Sequence, residues 1–202
     1  MKVLTIDLDI IMKPSIDFYN SLVPRKSWEE LLKDPHMQLL RADMDIFSTI
    51  TIWLQQQFKI KKADQFHFIK SHDDLNKILG QEKNCDLINI DHHHDLGYNN
   101  RNIDVLNCGN WVKKLIENKQ LNSYTWINNS NSKIYENIQE INDYIRYKVE
   151  DVETPYLFKS LTDIDKIVIC LSPEWVPPYY QSLYWLWMKL YESHYREYVD
   201  II

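Results

Sequence analysis

Two short stretches set acids and histidines at spacings that metal chemistry uses. Asp91-His92-His93-His94-Asp95 follows directly on Cys85-Asp86-Leu87-Ile88-Asn89-Ile90, a β-branched, apolar run that reads as a buried strand. Side chains alternate along a strand, so while pairing lasts Asp91, His93 and Asp95 face one way and His92 and His94 the other. Two carboxylates and an imidazole converging at the carboxyl end of a strand suit a divalent cation, and Asp91 is best placed to bridge two. A polar turn accounts for the stretch less well, because turns favour Gly, Asn, Pro and Ser. Near the amino end, the short strand Lys2–Ile6 runs into Asp7-Leu8-Asp9 and repeats the arrangement. One Asp-x-Asp is commonplace. Two acid-bearing strand ends in one domain require compensation, since clustered carboxylates repel.

Two more groups join them. His72 lies in Ser71-His72-Asp73-Asp74, between a strand over Gln65–Lys70 and a helix opened by Leu75, Ile78 and Leu79; Ser71 or Asp73 can cap that helix. Glu174 lies in Ser172-Pro173-Glu174-Trp175-Val176-Pro177-Pro178, after the apolar run Ile164–Leu171, where the prolines stop strand and helix alike. His67 alternates within its strand and reads as packed; His194 reads as a surface residue.

The elements that must position these groups alternate between strand and helix. Ser27-Trp28-Glu29-Glu30 has the form of a capping box, and a helix is expected from Met37 to near Gln57. Asn107-Cys108-Gly109-Asn110 opens a helix over Trp111–Ile116, Tyr124–Ile127 reads as a strand, and Tyr179–Tyr198 forms an aromatic terminal helix. Residues 14–24, 98–102 and 128–133 read as loops, and 137–151 is ambiguous between strand and helix. Such alternation implies an α/β fold of three αβα layers around a mostly parallel sheet. In that fold the strands' carboxyl ends share one edge, where ligands bind. Asp7, Asp9, His72, Asp91, His93, Asp95 and Glu174 would all stand there.

Composition sets bounds. A chain of 202 residues with 26% charged and 45% hydrophobic residues fits one domain, 1–202, with a sizeable core. A net charge of -6 argues against a general nucleic-acid binder and leaves room for a cationic substrate. Cys85, Cys108 and Cys170 are scattered and odd in number, as expected of reduced thiols in a cytoplasmic protein. No apolar run has the length of a membrane span, and no signal peptide is expected before the first strand.

Asp91-His92-His93-His94-Asp95 resembles the Asp-x-His-x-Asp signature of the arginase and agmatinase (ureohydrolase) superfamily, and Asp7-Leu8-Asp9 is similar to its Asp-x-Asp signature. His72 resembles the histidine of that superfamily's Gly-Gly-Asp-His motif, without the glycines. The resemblance implies an arginase-like fold holding two manganese ions. One ion would take His72, Asp91, Asp95 and Asp7; the other would take His93, Asp91, Asp7 and Asp9. In ordinary arginases Asp-x-Asp comes late and the chain is longer. With Asp-x-Asp first, a central "IDHHHDLGY" and a late "LSPEW", this chain looks more like the compact peptide arginases of ribosomal-peptide maturation. That implies an arginine-containing peptide as substrate, with ornithine and urea as products.

The implied chemistry is metal-assisted hydrolysis of a guanidinium. Glu174 resembles the late strand-end glutamate that receives the substrate cation, and Asn110 is a second substrate-binding candidate. Asp9 is a candidate proton carrier to the leaving amine, with His94 another if strand pairing breaks before it. Three other readings compete. A DHH-type manganese phosphoesterase fits Asp91-His92-His93 literally but has no role for Glu174, a non-catalytic metal-binding protein would keep the cluster alone, and a deacetylase-like amidohydrolase would hold a single zinc.

Overall fold

The computed structural model describes residues 1–13, 27–33, 40–97, 105–129, 146–154 and 156–196. In chain order, β1 (Lys2–Asp7) passes through a 3-10 turn (Leu8–Ile11) into β2 (Met12–Lys13). Then come α1 (Trp28–Leu31), β3 (Arg41–Ala42), α2 (Met44–Ile60), β4 (Phe66–Ile69), a 3-10 turn (His72–Asp74) and α3 (Leu75–Leu79). They are followed by β5 (Cys85–Ile90), α4 (Trp111–Glu117), β6 (Leu121–Asn128), β7 (Arg146–Asp151), α5 (Leu157–Ser160), β8 (Lys166–Cys170) and α6 (Ser182–Arg196).

Six strands form one sheet in the order β4-β8-β1-β5-β6-β7, and every neighbouring pair is parallel. Strand alternation sorts its apolar residues onto two faces. Leu4, Ile6, Ile90, Ile167 and Ile169 pack with Phe47, Ile50, Trp53 and Leu54 of α2 and with Trp187 of α6. Phe47 and Trp187 stack with ring centroids 5.0 Å apart, which ties the two helices together. Val3, Cys85, Leu87, Tyr124, Trp126, Val168 and Cys170 pack on the other face with Leu75 and Leu79 of α3 and Trp111, Val112 and Leu115 of α4. This is the expected three-layer α/β arrangement. Each fully buried Leu, Ile or Phe contributes about 1.5–3 kcal/mol, so the two cores hold the sheet from both sides.

The connections create a crevice. β1 leaves towards β4 through α2 on one face, whereas its neighbour β5 leaves towards β6 through α4 on the other. Adjacent strands whose exits part in this way leave a gap beyond their carboxyl ends, the usual ligand position of open α/β sheets.

Several boundaries differ from the sequence expectation. The capping box at Ser27 forms, but its helix lasts a single turn. The helix expected from Met37 starts at Met44 instead, because Asp43 caps it by accepting from the backbone N–H groups of Asp45 and Ile46. The terminal helix starts at Ser182 rather than Tyr179, after the turn that Pro177 and Pro178 impose. The ambiguous stretch contains β7, whose Arg146, Lys148 and Val149 are exposed, so charge masked its strand pattern. The loops expected at 14–24 and 98–102, most of that at 128–133, and residue 198 lie outside the described residues. Among those described, no helix is long and apolar enough to cross a membrane.

Candidate metal centre

The two acid-bearing ends meet. Ile6 of β1 and Ile90 of β5 are in-register neighbours, so Asp7 and Asp91 stand side by side one residue further on. Sheet pairing continues only as far as the Asp91 N–H, which donates to Ile127 O at 3.0 Å. The strand therefore ends five residues before Asp95, and simple alternation does not set the positions of His93 and Asp95. Turn chemistry does. His93 N–H donates to Asp91 Oδ1 at 2.8 Å, and on β1 Asp9 N–H donates to Asp7 Oδ1 at 3.0 Å. Each strand-end aspartate thus folds the chain back by bonding the amide two residues on. Asp95 then adopts φ 53°, a left-handed conformation that aspartate tolerates better than most residues.

The six expected ligands, Asp7, Asp9, His72, Asp91, His93 and Asp95, are all buried, and with Cys170 their side chains form three overlapping groups that gather around His72 and His93. Around His72 Nδ1 lie Asp7 Oδ2 at 3.0 Å, Asp91 Oδ2 at 3.2 Å and Asp95 Oδ2 at 3.6 Å. Around His93 Nδ1 lie Asp9 Oδ2 at 2.9 Å and Asp91 Oδ1 at 3.8 Å. Asp91 turns one oxygen to each histidine. Four buried carboxylates with only imidazoles between them are costly unless positive charge is present. These oxygen and nitrogen donors could hold a metal ion.

The electrostatics express that demand. Burial, together with the charges of Asp7 and Asp91, pushes the Asp9 carboxyl well up. Burial and Asp91 do the same to Asp95. Burial opposes ionisation of Asp91 too, but its bond to His72 and the two histidine charges outweigh it and hold the carboxyl at about 2. Burial disfavours charge on His72, yet Cys170, Asp7 and Asp91 raise its pKa well above the ordinary value. Without a cation, protons do part of a cation's work.

A surrounding layer holds the ligands. Ser172 donates its hydroxyl to Asp7 Oδ2, and the Trp111 indole N–H donates to Asp95 Oδ2. Asn89 Nδ2 donates to Asp91 Oδ2 at 3.1 Å, while Thr5 Oγ1 meets His72 Nε2 at 2.7 Å. Trp126 Nε1 donates to Asp91 O at 2.9 Å, and Tyr124 Oη to His94 O at 2.8 Å. Sequence reasoning missed these residues. Thr5 and Asn89 carried a signal, being polar within otherwise buried strands; Ser172 and Trp111 carried none, because only tertiary contact gives them a partner. Cys170, read from the sequence as an ordinary buried thiol, lies against this cluster beside Asp7 and His72.

His92 and His94 stay out of both groups. His92 Nδ1 meets the Asn129 amide at 3.3 Å, and burial, with His93 next to it, lowers its pKa well below the ordinary value. His94 Nδ1 accepts from Leu96 N–H at 3.0 Å, and its ring meets Trp126 edge-on. Glu174 is exposed in its turn. The neighbouring Trp175 ring packs 4.3 Å from the His93 ring, and Trp28 Nε1 secures the turn on Pro173 O at 2.7 Å. Asn110 is buried, but its amide bonds Val105 O at 2.9 Å and Asn107 N–H at 2.8 Å, so it ties its own loop while Trp111, the next residue, reaches the cluster.

No protein-family model matches this chain, and comparison with curated proteins and with solved structures returns no significant match.

Proposed function

We propose that this chain is a two-metal hydrolase of the arginase (ureohydrolase) type that removes urea from an arginine side chain, within a peptide, and leaves ornithine. The observation that carries the reading is the Asp91 carboxylate, with Oδ2 turned to the His72 group and Oδ1 to the His93 group. A shared carboxylate between two ligand sets is the arrangement a two-metal site requires. The donors also follow the Asp-x-His-x-Asp and Asp-x-Asp spacing of the superfamily that the sequence resembles. On this reading His72, Asp7, Asp91 and Asp95 would hold one ion, and His93, Asp9 and Asp91, with Asp7, would hold the second. Oxygen and imidazole donors suit manganese.

Two divalent ions would supply Lewis acidity and make hydroxide available near neutral pH. Hydrolysis breaks the bond between the guanidinium carbon and the side-chain nitrogen. The water oxygen leaves in urea, and the released amine takes up a proton. Asp9, set 2.9 Å from His93 Nδ1, is assigned as the carrier of that proton. Glu174, on the exposed turn next to Trp175, is assigned to receive the guanidinium through paired hydrogen bonds. The position of His92 against Asn129 counts against the phosphoesterase reading, in which it would be a ligand.

The test is protein prepared with manganese and offered arginine-containing peptides. About two ions per chain are expected, on the two-metal precedent. Urea should appear as the peptide loses its guanidine carbon by mass. Cleavage of a phosphodiester to a phosphomonoester and an alcohol, with no urea, would replace this reading with the phosphoesterase.

A further inference from the structure

We infer that Thr5 and Asn89 lock His72 in the tautomer that turns the Nδ1 lone pair towards the acid cluster. Asn89 anchors the lock. Its Nδ2 donates to Asp91 Oδ2 at 3.1 Å and lies 3.4 Å from Tyr124 Oη. A carboxylate only accepts, so the amide orientation is settled and Asn89 Oδ1 is left as an acceptor. That oxygen lies 3.3 Å from Thr5 Oγ1, which must therefore donate. A hydroxyl has a single proton, so towards His72 Nε2, 2.7 Å away, Thr5 can only accept. Nε2 consequently carries a proton, and in the neutral ring Nδ1 is the imine nitrogen. It faces Asp7, Asp91 and Asp95 at 3.0, 3.2 and 3.6 Å.

Asp91 fixes Asn89, Asn89 fixes the Thr5 proton, and Thr5 fixes His72, whose Nδ1 lone pair in the neutral ring faces the same Asp91 oxygen, an acceptor like itself. Thr5 and Asn89 are fully buried and are in-register neighbours on β1 and β5, two residues before Asp7 and Asp91. Water does not compete there, and the sheet holds the geometry. Both are positioning residues, since they act on the cluster through His72 and Asp91. This inference rests on the two-metal reading only for its purpose; the tautomer itself is a property of the protein.

Nitrogen-15 spectra of the histidine rings, recorded on the protein loaded with Zn2+ as a diamagnetic probe, should show His72 protonated at Nε2 with Nδ1 as the coordinated nitrogen. The same spectrum of metal-free protein at alkaline pH should show Nε2 protonated. A reversed tautomer in either spectrum overturns the inference. Thr5→Val, which keeps the shape and loses the hydroxyl, should bind Zn2+ about 10–100-fold more weakly in competition with a chelator, the usual effect of losing a ligand's partner. Thr5→Ser should restore binding to near wild type. Equal binding by Thr5→Val and wild type also overturns the inference. Wild-type protein that binds no divalent ion but shows the Nε2-protonated ring would sink the hydrolase reading and leave the lock standing.

Discussion

The Trp111 indole N–H donates to Asp95 Oδ2, linking the first residue of α4 to an aspartate sixteen positions earlier. Asp95 holds a left-handed backbone conformation and its carboxyl is forced up by burial, so this bond is what aims it at His72. Trp111→Phe keeps most of the aromatic packing and removes the donor. It should weaken metal binding about tenfold, as loss of a ligand's hydrogen-bond partner does. Chelator competition measures it, and unchanged affinity would show that packing alone positions Asp95.

The two oxygens of Asp91 serve different histidines, whereas Asp95 serves only one group. Asp91→Ala should therefore lose both ions, while Asp95→Ala should retain about one, on the two-metal precedent. Elemental analysis after gel filtration distinguishes them. Full metal content in the Asp91 variant would remove its bridging role.

His93 and His92 are adjacent but face different partners, Asp9 and Asn129. His93→Ala should abolish urea release. His92→Ala should lower the melting temperature and spare the chemistry. The opposite pattern would restore the phosphoesterase alternative.

Metal binding should release protons. Burial, with neighbouring acids, raises the pKa values of Asp9 and Asp95, and the net effect of the acids around His72 is to raise its value as well. The metal-free fold therefore holds protons that a cation must displace. In the free fold these three groups are satisfied below their unfolded values, 3.8 for the acids and 6.5 for the histidine, and lose stability as pH rises through the raised folded values. A bound cation removes that loss, so the rise in melting temperature on adding metal should grow with pH. Calorimetric titration in buffers of different ionisation enthalpy counts the protons, and a count of zero would contradict the prediction.

Glu174 is exposed and belongs to neither ligand group, so Glu174→Gln should keep fold and metal content. Under the guanidinium reading it should lower turnover on peptidyl arginine about 100-fold, or about 3 kcal/mol, the scale of a charged-partner hydrogen bond. Normal turnover would assign the turn a structural role only.

The sequence by itself determined the layer architecture and the residue types of the buried acid and histidine cluster. Strand runs of four to eight residues alternating with helical periodicity leave little besides a parallel sheet covered on both faces, and acids at strand ends in such a sheet share one edge. It also named Asp7, Asp9, His72, Asp91, His93 and Asp95, because residue type and spacing are local information. The tertiary structure decided the rest. Strand order put β1 beside β5 and so paired Asp7 with Asp91, residues 84 positions apart. The strand ended at Ile90, so an Asx-type turn at Asp91 aimed His93, and a left-handed backbone with the Trp111 bond aimed Asp95, where alternation could not. Ser172 and Trp111 acquired their roles only through contact across elements. A hydrogen bond is specified by two partners at short range, and a chain that reveals each partner's type does not reveal their distance until the sheet has set it.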